Sequence, residues 1–366
     1  MANFDFSVRQ VAREALPRLI DNLVFPNLIY RDTAGNQPAK QGDTVSVRCP
    51  VRLTASDFDE SSGVTPTSMQ KDTVEVKLEN IATVDMQVGA VEAACDFDSV
   101  VRLFIEPAAA ALAEKINAEG LALYQDIPYA AGTAGTTPSD LSDLAAAGYA
   151  LDMQKCPAGG RFAVWSPDAT YNFKQVPAIV NADKCGSSAA LRTGSIGRIF
   201  GIENYMSQAV KSHVSSLTGT LTVSQNATDS NTVKLGLSGT GAAGNIKKGD
   251  LLVIDGKYYT ATKDDTAVST THTVQIYPKI TVTSGTTATY VGAHKANLVF
   301  HPNAFAFVTR PLQAPAGVES YVTTYNGISL RVVRGYDMKY KREMLSMDVL
   351  YAFKTIYPEL AVRYLG

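Results

Sequence analysis

The chain has 366 residues, 45% of them hydrophobic and 19% charged, with a formal net charge of −2. That length allows about two domains and a sizeable core, and a near-neutral balance excludes a basic coat for nucleic acid or an anionic membrane. The opening MANFDFSVRQVAREALP carries charges too early for a signal peptide, and no apolar run reaches the ~18 residues of a membrane span. The expectation is a soluble chain made in the cytoplasm, with no membrane partner.

Residues 8–22 read as a short helix interrupted at Pro17. The following VFPNLIYRDTAGNQPAKQGDTV has two prolines and a Thr-Ala-Gly-Asn-Gln run, so it reads as irregular. It is either an extended arm crossing another surface or a poorly ordered terminus. Residues 43–53, DTVSVRCPVRL, alternate Val45, Val47, Cys49 and Val51 with polar side chains, as a half-exposed strand does. Residues 73–88 repeat the pattern with Val74, Val76 and Leu78. Together they predict a long hairpin with a polar tip, TASDFDESSGVTPTSMQKD, that holds Asp57, Asp59, Glu60 and Lys71. A free two-stranded hairpin is marginal in water, so this one packs either on its own domain or on a partner.

The stretch from 96 to 127 is the organising element. Val101, Ile105, Ala108, Leu112, Ile116 and Leu123 recur at helical spacing. Ala108 to Ala111 are the best helix formers, and Pro107 suits the first turn of a new helix. The reading is a short helix up to Glu106, a bend, and a long helix from 107 to about 124. A helix over 139–153, capped by Ser139 or Asp140, follows. Then come a short apolar strand over 161–166 with the only tryptophan, Trp165, and a helix opening at Pro167. Gly194, Gly197 and Gly201 punctuate loop–strand transitions in a compact mixed domain.

Composition shifts near Val214. From there to about His294 the chain is rich in serine, threonine and glycine, with short alternating runs: LTVSQ, NTVKLGL, DLLVIDG, KYYTATK, HTVQIYP and ATYVG. That is the pattern of an inserted all-β domain, a small barrel or sandwich. From Leu298 the earlier style returns, and ISLRVVRGYD, MLSMDVLYAFKTIYP and ELAVRYL read as strands of the sheet on which the long helix packs.

Candidate chemistry is sparse. Gly239, Gly241 and Gly244 match G-x-G-x-x-G, but a strand-like LLVI, not a helix, follows. A dinucleotide site needs the helix N-terminus to hold the pyrophosphate. Gly244 to Gly249 has phosphate-loop spacing, but Asp250 stands where the phosphate-binding lysine belongs. His213, His272, His294 and His301 show no metal-ligand spacing, and no G-x-S-x-G elbow accompanies them. Cys49, Cys95, Cys156 and Cys185 form no C-x-x-C pair and read as buried free thiols. Asp57, Asp59 and Glu60 suit a solvated acidic loop or contact with a basic partner. No cofactor, metal site or enzyme signature emerges.

The order of segments is itself distinctive: arm, hairpin, IEPAAAALAEKINAEG, LRTGSIGRIFGIENYMSQ, an inserted IKKGDLLVIDGKYYTATK, then NLVFHPNAFAFVTRPL and LSMDVLYAFKTIYPELAVRYL. It resembles the major capsid (coat) proteins of tailed double-stranded-DNA bacteriophages, with the Hong Kong 97 fold. His301-Pro302-Asn303-Ala304-Phe305 after the insertion looks most like the short-tailed-phage subfamily. The resemblance implies an α+β fold with an N-terminal arm over 1–42 and an extended hairpin loop over 43–89. A peripheral domain would comprise 90–139 and 321–366, with its spine helix and C-terminal strands. An axial domain would comprise 140–214 and 296–320, and the inserted β-domain 215–295. It implies a non-enzymatic, self-assembling virion subunit forming hexamers and pentamers of an icosahedral head around double-stranded DNA, contacted non-specifically. It further implies a portal protein and a decoration protein as partners. A separate scaffolding protein is expected because no long helical extension precedes the arm. Hairpin-tip residues Asp57, Asp59, Glu60 and Lys71 are the subunit-contact candidates. Some relatives cross-link lysine to asparagine, but no asparagine partner for Lys71 is identifiable. Alternatives are another phage structural protein such as a tail component, or an encapsulin-like compartment shell.

Overall fold

A computed structural model describes residues 7–32, 38–48, 73–88, 101–181, 192–265, 271–337 and 342–366. They fall into two compact units, each assembled from separate stretches of chain. The first comprises Met1–Asn22, Tyr30–Ala113 and Phe305–Ile356; the second comprises Leu23–Ile29, Glu114–Ala304 and Tyr357–Gly366.

The first unit is built on a six-stranded sheet. Its strands run in the order Tyr30–Asp32, Phe305–Arg310, Arg342–Thr355, Ile328–Asp337, Glu319–Tyr325, and Asn80–Val88 also pairs along Arg342–Thr355. Every residue of Phe305–Arg310 is buried, as expected of an interior strand. The helix seated on Glu319–Tyr325 and Ile328–Asp337 is Val8–Asn22. It runs unbroken through Pro17. Val8, Val11, Ala12, Ala15, Leu16, Leu19 and Ile20 are buried, whereas Pro17 is exposed. The apolar stripe therefore holds the helix together, and the bond that proline cannot donate is lost on the solvent side.

The predicted hairpin forms in part. Thr44–Arg48 pairs antiparallel with Thr73–Lys77, Thr44 opposite Lys77 and Arg48 opposite Thr73. Val47 and Val76 are buried while Thr44, Ser46, Arg48, Thr73, Glu75 and Lys77 are exposed. Residues 80–88 do not continue the hairpin. Leu78, fully buried, exchanges backbone bonds with Gly42 and Asp43, and the chain then turns to pair with Arg342–Thr355. The base of the hairpin packs within its own unit, where Val47, Val76 and Leu78 join Val308, Leu312 and Leu350.

The central stretch is a π-helical turn over Val101–Ile105, an α-helix over Glu106–Leu121 and a 3₁₀ turn over Ala122–Asp126. Where a bend or restart is expected before Pro107, the winding changes from π to α between Ile105 and Glu106. Ile105, Ala108, Leu112 and Ile116 are buried as their spacing predicts, but Tyr124 is buried in place of Leu123. Buried Asn117, Leu121 and Tyr124 follow one another at steps of four and three, so the buried face keeps its helical period and Leu123 lies beside it.

The second unit contains a seven-stranded sheet and a closed barrel. The sheet runs Ala130–Gly132, Ala361–Leu365, His294–Phe300, Arg161–Trp165, Ile202–Met206, Gly197–Ile199, and Ser212–His213 pairs with the start of His294–Phe300. Helix Leu141–Met153 starts at Asp140, and the Asp143 carboxylate accepts from the backbone amides of Ser139 and Asp140. Pro167–Phe173 opens on Pro167 after Ser166, whose hydroxyl accepts from Ala169. Two strands change places relative to expectation. Phe305–Arg310, grouped by sequence with 296–320, joins the first unit's sheet beside Arg342–Thr355. Ala361–Leu365, grouped with the other C-terminal strands, joins the second unit's sheet beside His294–Phe300. Alternation marks each as a strand but carries no information about its partner.

All six alternating runs between 214 and 294 become strands of the barrel. Its order is Thr218–Val223, Ala227–Ala243, Thr271–Val282, Lys257–Ala261, Leu251–Ile254 and Thr287–Tyr290, the last pairing back to the first. Leu221, Leu235, Leu252, Ile254, Val274 and Ile276 fill its interior. Closure leaves no unpaired edge, so this element satisfies its backbone internally.

Candidate functional site

The glycine motif is strand and turn. Gly239 and Gly241 lie within Ala227–Ala243, Gly244 follows it, and the next regular element is the strand Leu251–Ile254. Among the described residues, the element that follows these glycines is a strand and not the helix N-terminus that a pyrophosphate site needs. Gly244 has φ +104°, and a Cβ there would lie 2.1 Å from the Ser216 carbonyl oxygen. Its glycine is required by close backbone approach.

Asp57, Asp59, Glu60 and Lys71 lie outside the described residues, as do Cys49, Cys95 and Cys185. Cys156 is buried, and its thiol donates to the Pro157 carbonyl at 3.6 Å. No group of three or more His, Cys, Asp or Glu able to hold a metal occurs among the described residues. No helix among them is long and apolar enough to cross a membrane.

Two of the four histidines come together. His213 and His294 are register partners on adjoining strands, with ring centroids 5.3 Å apart. Around them the second unit gathers a buried polar cluster. The Tyr124 hydroxyl lies 3.1 Å from His213 Nδ1, and His213 Nε2 lies 2.8 Å from Asp250 Oδ1. One proton arrangement serves all three: the tyrosine donates to Nδ1 and Nε2–H donates to the carboxylate. The other Asp250 oxygen accepts from the Lys247 amide at 2.7 Å, closing its own turn. Arg363 is fully buried, donates to the carbonyls of Gly249, Tyr124 and Ile127, and lies 4.8 Å over the Tyr124 ring. Burial pulls its guanidinium down to about 10, which leaves it cationic at neutral pH. Asp250 and Asp126 favour that charge.

The same place is tightened by backbone contact. Thr260 Oγ1 donates to the Gln125 carbonyl at 2.9 Å, and a Cβ on Gly249 would lie 2.7 Å from Gln125 Cγ. The cluster therefore joins four parts of one unit: the end of the central helical stretch, the barrel turn at Gly249–Asp250, the strand ends that enter and leave the barrel, and the C-terminal strand. Although Asp250, His213 and Tyr124 line up like a proton relay, each is at least 94% buried. A tyrosine hydroxyl held inside on a histidine is a fastening, not an exposed nucleophile.

His272 stands apart inside the barrel, 2.6 Å from Asp265, and His301 is half-buried and accepts from the Asn303 amide. Spacing along the chain gave no hint of the cluster. One signal was present: His213 and His294 sit at the two ends of the compositional insert, and the ends of an inserted domain must meet in space.

No protein-family model matches the chain, and no curated protein matches it. Among solved structures, a chain from Mycobacterium phage Che8 aligns over 93% of this chain and 90% of its own, at 16% identity and a TM-score of 0.48. The capsid of cyanophage P-SCSP1u aligns over 94% and 88%, at 12% identity and a TM-score of 0.45. The capsid of Ralstonia phage GP4 aligns over 93% and 87%, at 11% identity and a TM-score of 0.44. These likenesses are distant in sequence and partial in superposition. The chain's own element order carries the functional reading.

Proposed function

We propose that this chain is a major capsid protein, a subunit that self-assembles into hexamers and pentamers of an icosahedral bacteriophage head around double-stranded DNA. One observation carries the reading. The succession of elements follows the order in which the capsid-like motifs occur in the sequence. It runs from the ladder Thr44–Arg48 with Thr73–Lys77, through helix Glu106–Leu121 and the closed barrel within Thr218–Tyr290, to the strands that complete both sheets. The role is structural: the buried polar cluster fastens elements and performs no reaction. The near-neutral charge suits a wall that must not hold packaged DNA tightly.

Within this proposal, the ladder base stays on its own unit, the run between Arg48 and Thr73 reaches a neighbouring subunit, and Asp57, Asp59, Glu60 and Lys71 in that run make the contact. The insertion over 215–295 stabilises the subunit. A separate scaffolding protein, a portal and a decoration protein are the expected partners, and the virion is the destination. The test is negative-stain electron microscopy with light scattering on the chain expressed with and without its neighbouring genes. Closed shells or capsomer rings are expected. A tube or a small discrete oligomer under both conditions would point to another structural role.

A further inference from the structure

The ends of the barrel insert are held by groups whose charges are finely balanced. His294 is buried, and its Nδ1 lies 2.8 Å from the Gly292 carbonyl, which fixes that nitrogen as the donor. Nε2 is buried and makes no hydrogen bond among the described residues, and the same holds for Arg363 Nε. The groups facing His294 come from every part of the cluster. Its own strand end supplies the Gly292 carbonyl, Ser212–His213 supplies His213, the barrel turn supplies Asp250, and the C-terminal strand supplies Arg363. Tyr124 and Asp126, from the end of the central helical stretch, act on Arg363 in turn. With His294 uncharged, the buried Arg363 cation is offset by Asp250. A second cation on His294 would add to Arg363 in the same dry space.

We infer that the cluster is an acid-released pin: proton uptake at His294 Nε2 unfastens the barrel turn at Gly249–Asp250 from the strand ends at His213 and His294, while the barrel itself stays folded. The barrel keeps its own closed hydrogen-bond ladder and apolar interior, and the Gly249–Asp250 turn stays bonded to it through Ala261, so the parting falls between that turn and the strand ends. Burial, reinforced by Arg363 and His213, holds His294 down at about 4 from its ordinary 6.5. The sign follows from linkage. The unfastened state binds the proton more readily, so the pin is at full strength above the ordinary imidazole value and weakens as pH falls toward 4. The device operates whether or not the chain builds a shell.

The test compares the whole chain with His294→Asn, which keeps a donor for the Gly292 carbonyl and does not titrate. Hydrogen exchange, corrected for intrinsic rate, is followed from pH 7.5 to about 4. In the wild type, peptides covering Ala296 and Arg363, whose amides bond to the Lys211 and Tyr129 carbonyls outside the barrel, are expected to lose protection before peptides covering Val233 and Val274 in the barrel core. In His294→Asn the first loss moves down by about one pH unit or more. The His272–Asp265 pair inside the barrel is common to both proteins, so acid effects arising there cancel from the comparison. An unchanged midpoint in the variant overturns the inference. Should the variant not fold, the wild-type profile decides alone: simultaneous loss in barrel and strand ends, or no loss at either, overturns it.

Discussion

The barrel and the two-stranded ladder are made from the same kind of alternating strand, yet they solve the edge problem in opposite ways. The barrel closes on itself, Thr218–Val223 pairing with both Ala227–Ala243 and Thr287–Tyr290, and buries its inward residues against one another. The ladder has two strands and buries one side only, Val47 and Val76 against Val308 and Leu350. Its other side is a row of Thr44, Ser46, Arg48, Glu75 and Lys77 in solvent. A closed element stabilises the chain that contains it. A ladder that leads into a polar run of residues beyond Arg48 has surface to offer a neighbour.

Four substitutions sharpen that contrast, taken from the largest effect down. Leu235→Ala, inside the barrel, should cost about 2–5 kcal/mol, because closure leaves little room for the cavity to collapse. Urea unfolding followed by hydrogen exchange at the barrel strands measures it. Val47→Ala on the ladder should cost about 1–2 kcal/mol for the two methyl groups removed, and Val45→Ala, half-exposed one strand step away, less. A cost for Val47→Ala equal to that of Leu235→Ala would mean the ladder is held as firmly as the barrel, and the contrast would fail. Lys279→Ala removes an exposed pair with Asp229 on the barrel surface and should change stability by no more than about 0.5 kcal/mol. A larger loss there would show that the barrel leans on its surface charges and not on its interior.

The sequence made some of this legible and hid the rest for physical reasons. Local pattern was reliable where each element's own residues decide its form. The six runs of the insert are the six barrel strands, and Asp140 begins the helix it was expected to cap. Pro17 misled because the cost of an interior proline, about 3 kcal/mol, is offset by the seven apolar residues buried on the helix's other face. The split at Leu78 and the exchange of Phe305–Arg310 with Ala361–Leu365 between sheets were invisible, since pairing partners lie tens to hundreds of residues away. The polar cluster was hidden for the same reason: Tyr124, His213, Asp250, His294 and Arg363 span most of the second unit's sequence. The strand expected after the glycine motif is Leu251–Ile254.

The central proposal is that this chain is a shell subunit whose contacts to its neighbours run through Asp57, Asp59, Glu60 and Lys71. The direct measurement is light scattering with negative-stain electron microscopy on the wild type beside the triple variant Asp57→Lys, Asp59→Lys, Glu60→Lys, both expressed with the neighbouring genes. The account predicts closed shells or capsomer rings for the wild type, and for the variant a subunit of unchanged circular dichroism that assembles poorly or not at all. A wild type that remains a monodisperse monomer with and without those genes would contradict it.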